Sequence, residues 1–238
     1  MANMSMRSLL TPSVVIPIAN YAVLAFLDVS FRVLMPLFFS TPTYLGGLGF
    51  NPATIGSWMA LFGIVDGVFQ AVFFAVIVDW IGPKRLFCIS VSCYAPLMAM
   101  FPIMSWILRA RGEVDHAITF ALLCHLVVAI TWDMAYGTCC NEMVLSLRVT
   151  HFVAGTIFLF ITASAPTNNV LGAINGLGQT SAAVARAVGP ALATSLFAAS
   201  KEYNLLGGNA VFAILVVLAG GLRWLASQLP DELQDRDE

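Results

Sequence analysis

Apolar residues occupy this chain in long blocks, not in the alternating or one-faced patterns of soluble elements. Val14–Phe39 is interrupted only by Asp28, Arg32 and Pro36. The loop Ser40–Thr54 carries the breakers Pro42, Gly46, Gly47, Gly49 and Pro52. Ile55–Val78 contains Asp66 and ends at Asp79, and Leu86–Leu108 follows the turn Gly82-Pro83-Lys84-Arg85. After the charged loop Arg109–His116 comes Ala117–Gly137, with His125 and Asp133 inside it. A mixed segment, Thr138–Leu147, precedes the shorter apolar stretch Val149–Ala163. The loop Ser164–Asn169 leads to Val170–Ala199, rich in Gly and Ala, and Ala210–Leu229 is the last block. A helix needs about 20 apolar residues to cross a bilayer, roughly twice what a membrane strand needs, so helices fit these blocks and strands do not. The pattern predicts an all-α membrane protein, a six-helix transmembrane bundle. Its spans lie near 14–39, 55–78, 86–108, 117–137 (continuing at 156–163), 170–199 and 210–229, with an extra segment at 138–155. The alternative is a seventh span over Met143–Ala163, which would place Arg148 and His151 in lipid and invert every later loop.

Composition agrees. The 238 residues are 59% hydrophobic and 10% charged, against about 45–50% and 25% in soluble domains. Mean hydropathy is +0.87. These values exclude a disordered chain, a nucleic-acid-binding domain and a disulfide-stapled module. The cysteines, Cys88, Cys93, Cys124, Cys139 and Cys140, are odd in number and mostly inside apolar stretches, which argues against a disulfide framework. The net charge of −2 comes with no basic cluster, and the tail acids Asp231, Glu232, Asp235, Asp237 and Glu238 read as a solvated end. Residues 1–11 lack the order of a cleaved signal, so the first apolar run reads as a retained helix. With the N-terminus in the cytoplasm, Lys84 and Arg85 fall on the cytoplasmic side, while Arg109, Arg111 and Lys201 fall outside, a weak score on the charge rule.

Ionisable residues inside a bilayer are costly and normally face a cavity or a partner. Asp28 and Arg32 are four apart and share one helix face. They read either as a mutually neutralising pair or as a gate or substrate contact. Asp66 has no ionisable neighbour within a turn; it suits a proton carrier, or a hydrogen-bonded Asp lining a wet cavity. His125 and Asp133, eight apart, can line one face, as a relay or as a buried hydrogen-bonded His. Asn175, Gln179 and Arg186, spaced by four and seven, form a polar stripe on a small-residue helix. A substrate path needs such a stripe, and interhelical polar contacts are its other use. Gly63 with Gly67, and Gly172 with Gly176, permit close backbone approach. Cys139, Cys140 and His151 lack a fourth ligand and metal-site spacing, so no metal and no cofactor are expected.

Three stretches resemble the C-terminal half of a major facilitator superfamily transporter. Phe74-Ala-Val-Ile-Val-Asp-Trp-Ile-Gly-Pro-Lys-Arg85 is similar to the superfamily's signature loop, with Asp79, Gly82, Lys84 and Arg85 at the matching positions; Ala75 and Trp80 depart from it. Arg7-Ser-Leu-Leu-Thr-Pro12 leading to Asn20-Tyr21 and Asp28 is the second. The third runs from Ser164-Ala-Pro166 through Gly172–Thr180 to Arg186-Ala-Val-Gly-Pro190. The last two resemble fungal members of the branch that includes the zinc-induced-facilitator-like transporters of plants. The resemblance implies half of a twelve-helix fold, a pathway between two bundles, rocking of the halves, and a gating role for the signature loop. Read from their polarity and spacing, Asp28, Arg32, Asp66, His125, Asp133, Asn175, Gln179 and Arg186 are the candidate substrate or proton pathway.

In such relatives Met134-Ala-Tyr-Gly137 continues directly into a stretch like Thr156–Pro166; here eighteen residues, 138–155, intervene. Gly-Thr at both junctions suggests a retained in-frame intron. The expected function is that of an incomplete secondary transporter, inactive alone. It would be embedded in a lipid bilayer, would handle a small molecule with proton coupling compatible, and would need a missing N-terminal half or a homodimer. The alternative is a membrane scaffold or regulatory half that joins a complete transporter. An enzyme is not expected, since paired intramembrane aspartates, a Ser–His pairing and a metal cluster are all missing from the sequence pattern.

Overall fold

A computed structural model describes residues 11–112, 115–135, 156–164 and 170–229. The segment 138–155 and the acidic tail lie outside the described residues. Helix α1 spans Pro12–Ser40, α2 Pro52–Ile81, α3 Pro83–Ser92, α4 Tyr94–Arg111, α5 His116–Asp133, α6 Thr156–Ala163, α7 Leu171–Glu202 and α8 Ala210–Ser227. A 3₁₀ turn covers Thr43–Leu45. Six stretches are long and apolar enough to cross a membrane: α1, α2, the α3–α4 pair, α5, α7 and α8. Together with the relatives described below, they make this an integral multi-pass membrane protein.

Local chemistry sets the boundaries. Pro12, Pro52 and Pro83 begin helices, where a missing N–H is no loss. The Asn51 side chain caps α2 by accepting from the Thr54 N–H at 2.8 Å. Asp115 caps α5 by accepting from the Ala117 and Ile118 N–H groups. A single residue, Gly82, separates α2 from α3; its φ of 86° is a conformation that side chains other than glycine's rarely adopt. The third crossing is interrupted at Cys93, three residues before Pro96. A proline there supplies no N–H to the carbonyl of Ser92 and crowds it, which explains the break.

The α1–α2 connection folds back on the end of α1, with the N–H groups of Leu48 and Phe50 donating to the carbonyls of Phe38 and Phe39 at 3.2 and 2.8 Å. The Gly46 turn closes against Arg109 and Ser105 of α4. At the opposite end, Asn20 of α1 donates to the Leu225 carbonyl of α8 at 3.3 Å, and Arg223 donates to the Ser92 hydroxyl at 3.2 Å. These contacts give the bundle a Gly46 end and a Gly82 end. Helix α1 is its central rod. It packs along most of α7, in parallel, through the stripe Ile174, Gly178, Ala182, Gly189 and Ala193. Gly189 is required there: a Cβ would overlap the Val29 side chain. The aromatic centre joins α1, α4, α5 and α8, with Phe101 5.0 Å from Phe38, 4.8 Å from Phe212 and 4.9 Å from His125.

The fourth apolar run carries α5, and Thr156–Ala163 forms the short α6. Helix α5 has 18 residues, about 27 Å at 1.5 Å per residue. It starts at the Gly46 end and stops beside Tyr94, where Trp132 lies 4.6 Å from the Tyr94 ring. Helix α6 lies at the Gly82 end, with Phe160 6.4 Å from Phe87 of α3 and Ile161 against Gly178 of α7.

Candidate functional site

Polar residues of α1 recur at Tyr21, Asp28 and Arg32, intervals of seven and four, so they line one face of the central rod. That face is the candidate site.

Its middle is an ion-pair network. Arg32 Nε donates to both oxygens of Asp28 at 3.0 and 3.1 Å, and Arg32 Nη2 donates to Asp133 Oδ1 of α5 at 3.1 Å. The two carboxylates are sheltered, with side chains 13% and 4% exposed, while Arg32 is 49% exposed and presents its edge to the open side of the bundle. Asp66 of α2 lies within coulombic range of Arg32 and Asp28. Gln70, one turn further on, donates weakly to Asp66 Oδ1 at 3.4 Å. Three carboxyl groups from three helices therefore gather around one guanidinium. In an apolar bundle such a cluster reaches charge balance by holding a proton or a cation. Among the described residues Asp133 Oδ2 and Gln70 Oε1 have no hydrogen-bond partner, so acceptor capacity remains.

The second group lies towards the Gly82 end. The Tyr21 hydroxyl donates to Gln179 Oε1 at 3.2 Å and accepts from Arg186 Nη2 at 3.2 Å. The Arg186 guanidinium also lies over the Tyr21 ring, 5.6 Å from its centroid. The polar stripe of α7 thus meets the polar face of α1 through a tyrosine. Asn175, one turn before Gln179, makes no side-chain hydrogen bond among the described residues.

His125 is not brought to this site. It is buried between Phe31 and Phe101, at 5.7 and 4.9 Å, and neither ring nitrogen has a hydrogen-bond partner. The hydrogen-bonded histidine anticipated from sequence is absent, and no contact joins it to Asp133. The signature-loop residues also lie apart from the cluster: Gly82 forms the turn, Asp79 and Arg85 are exposed, and Lys84 is half-buried. Sequence reading alone did not single out Tyr21 or Gln70 as site residues. The signal for Tyr21 was its interval of seven from Asp28 on one helix; Gln70 lay four beyond Asp66. Gly63, Gly67, Gly172 and Gly176 pack against nothing: a Cβ at each would meet open space.

Comparison with known proteins finds relatives of one kind. The chain is 29% identical over 202 residues to the major facilitator superfamily multidrug transporter mfsB of Aspergillus fumigatus, covering 81% of this chain and 30% of that protein. It is homologous to part of a major facilitator superfamily transporter. Zinc induced facilitator-like 1 of Arabidopsis thaliana is 28% identical over 208 residues, covering 85% of this facilitator-related chain and 38% of the plant protein. The major facilitator-type transporter psiT2 of Psilocybe cyanescens is 25% identical over 215 residues, covering 90% and 39%. The chain thus spans between 30 and 39% of the length of these curated relatives. No family model matches it, and no solved structure matches it.

Proposed function

We propose that this chain forms one wall of a secondary-transport pathway for a small molecule, corresponding to the C-terminal half of a facilitator, and that a second helical bundle closes the pathway by alternating access. The network around Arg32 carries the proposal. It places three carboxyl groups and one guanidinium midway along the bundle, with the guanidinium half open on one side. Its acidic excess suits a proton or an organic cation. Asp66, held by one long hydrogen bond, is the group that changes charge, and Arg32 holds Asp28 and Asp133 in place. Gln179 and Arg186, tied to Tyr21, extend the polar face towards the Gly82 end.

Burial supports a second bundle seated against α2 and α7. Half of the α1 window is buried, against 17% of α2 and 22% of α7. Helices α2 and α7 both pack on α1 and carry the open glycines Gly63, Gly67, Gly172 and Gly176. Glycine-lined faces let another helix approach closely. The bundle itself would cross six times, with α5 long enough to cross by itself and the short α6 beside its end. Met134, just past α5, packs with Val78 and Leu86 at the Gly82 end, where α6 also lies.

The test uses proteoliposomes with an imposed pH gradient and ethidium as the probe cation. Ethidium uptake is expected when the chain is paired with the N-terminal bundle of the mfsB-type relative, and not from the chain alone. Asp66→Asn should abolish pH-driven uptake and leave ethidium exchange. Full pH-driven uptake in that variant would overturn the role given to Asp66.

A further inference from the structure

The Gly46 end gathers two cations from distant parts of the chain. Arg109 lies in the last turn of α4, Lys201 in the last turn of α7, and each is within coulombic range of the other. The Arg109 guanidinium and the Ser105 hydroxyl fill the space that a Cβ on Gly46 would need, so the Gly46 turn closes over them. Lys201 runs along Gly208, and its Nζ lies over the Phe197 ring, 5.3 Å from the centroid. That Nζ is shielded from water and has no hydrogen-bond acceptor. Among the described residues neither cation forms an ion pair; Arg111, by contrast, is paired with Asp115 at 2.8 Å.

An ammonium taken out of water without a counter-charge is costly. The carbonyl ends of α4 and α7 and the face of Phe197 offset part of that cost. Asn209 Oδ1 also lacks a partner and could offer Lys201 a hydrogen bond, but no charge. Arg109 and Lys201 thus stand at this end without a carboxylate partner among the described residues. An anion completes the arrangement.

We propose that Arg109 and Lys201 form a binding site for a phosphate group at the Gly46 end of the bundle. The planar guanidinium takes two phosphate oxygens side by side, and the ammonium supplies a point charge from the neighbouring helix. Phosphate of this kind comes from an anionic phospholipid headgroup or from solution. This site is separate from the pathway face, and none of its residues contacts Asp28, Arg32 or Asp66.

The melting temperature of the purified full chain tests this in four settings: phosphate-free micelles, phosphatidylcholine nanodiscs, the same nanodiscs with phosphatidylglycerol, and phosphatidylcholine nanodiscs with added inorganic phosphate. A rise with phosphatidylglycerol alone supports the site and assigns the headgroup as its source. A rise with inorganic phosphate in phosphatidylcholine supports it and assigns a soluble anion. Arg109→Gln and Lys201→Gln should each raise the half-saturating amount about tenfold, the loss of one hydrogen bond to a charged group; Lys201→Arg and Arg111→Gln should keep the response. In phosphate-free micelles Lys201→Gln should melt at or above the wild-type temperature, because it removes an uncompensated ammonium. No rise with either phosphate source, or an equal rise in both Gln variants, overturns the proposal. So does a Lys201→Gln chain that is destabilised equally in all four settings, the mark of a cation serving only its helix end.

Discussion

Arg32 and Asp133 stand 101 positions apart in sequence, and a 3.1 Å hydrogen bond joins them between α1 and α5. Asp133 is 4% exposed, so it depends on this partner. Removing Arg32 leaves the sheltered Asp133 without its cation; breaking a fully buried pair costs about 3–5 kcal/mol, and the half-exposed guanidinium makes the cost smaller here. Arg32→Gln and Asp133→Asn should each lower thermal stability, and the double variant should lose less than the two singles together. A double-mutant cycle is expected to give a coupling of about 0.5–3 kcal/mol. Strict additivity would mean that the pair does not hold α5 to α1.

Gly189 lets α7 lie against α1, and a Cβ there would overlap Val29. Gly189→Ala should destabilise the chain by about 1–3 kcal/mol, the usual cost of overfilling a packed contact. Gly63→Ala and Gly172→Ala point into open space and should not lower the stability of the isolated bundle. Their effect should show only when the second bundle is present, as weaker co-purification. Melting curves of the three variants, followed by pull-down, check both statements.

The rods of the fold were legible because a membrane crossing writes itself as a long apolar block, with the Gly82 turn marking one end; the caps at Asn51 and Asp115 came only with the structure. The Asp28–Arg32 pair was legible for a similar reason: an interval of four on a helix makes neighbours. Asp133 joining that pair was not legible, because which helix faces which is settled by packing between distant segments. His125 shows the same gap. Its interval of eight from Asp133 suggested a shared face, yet α4 and α1 enclose it with Phe101 and Phe31 instead. Tyr21 was hidden because a tyrosine in an apolar run reads as ordinary core until Gln179 and Arg186 are seen converging on it.

Asp115, between the third and fourth crossings, gives a pH prediction. Some desolvation works against its ionisation, but the Ile118 and Ala117 N–H groups and the Arg111 guanidinium outweigh it and hold the carboxyl below its ordinary value. A group with a depressed folded-state pKa contributes stability above the unfolded value, near 4, and loses it as pH falls through the folded value. The start of α5 should therefore loosen on acidification below about pH 4. Asp115→Asn, which keeps a capping oxygen but no charge, should remove that pH dependence. Amide exchange at Ala117 and Ile118 as a function of pH reads this directly; an unchanged acid response in Asp115→Asn would contradict it.

The central claim is that the face of α1 bearing Asp28 and Arg32, with its continuation on α7, lines an aqueous path. Single cysteines placed at Asn175 and Gln179, and at Trp106 and Val217 on the outer surface, measure it in a background where Cys88, Cys93, Cys124, Cys139 and Cys140 are replaced. A charged, membrane-impermeant thiol reagent is applied to membranes carrying the full chain together with the N-terminal bundle of the mfsB-type relative. The account predicts rapid labelling at 175 and 179 and little at 106 and 217; equal, slow labelling at all four positions would contradict it.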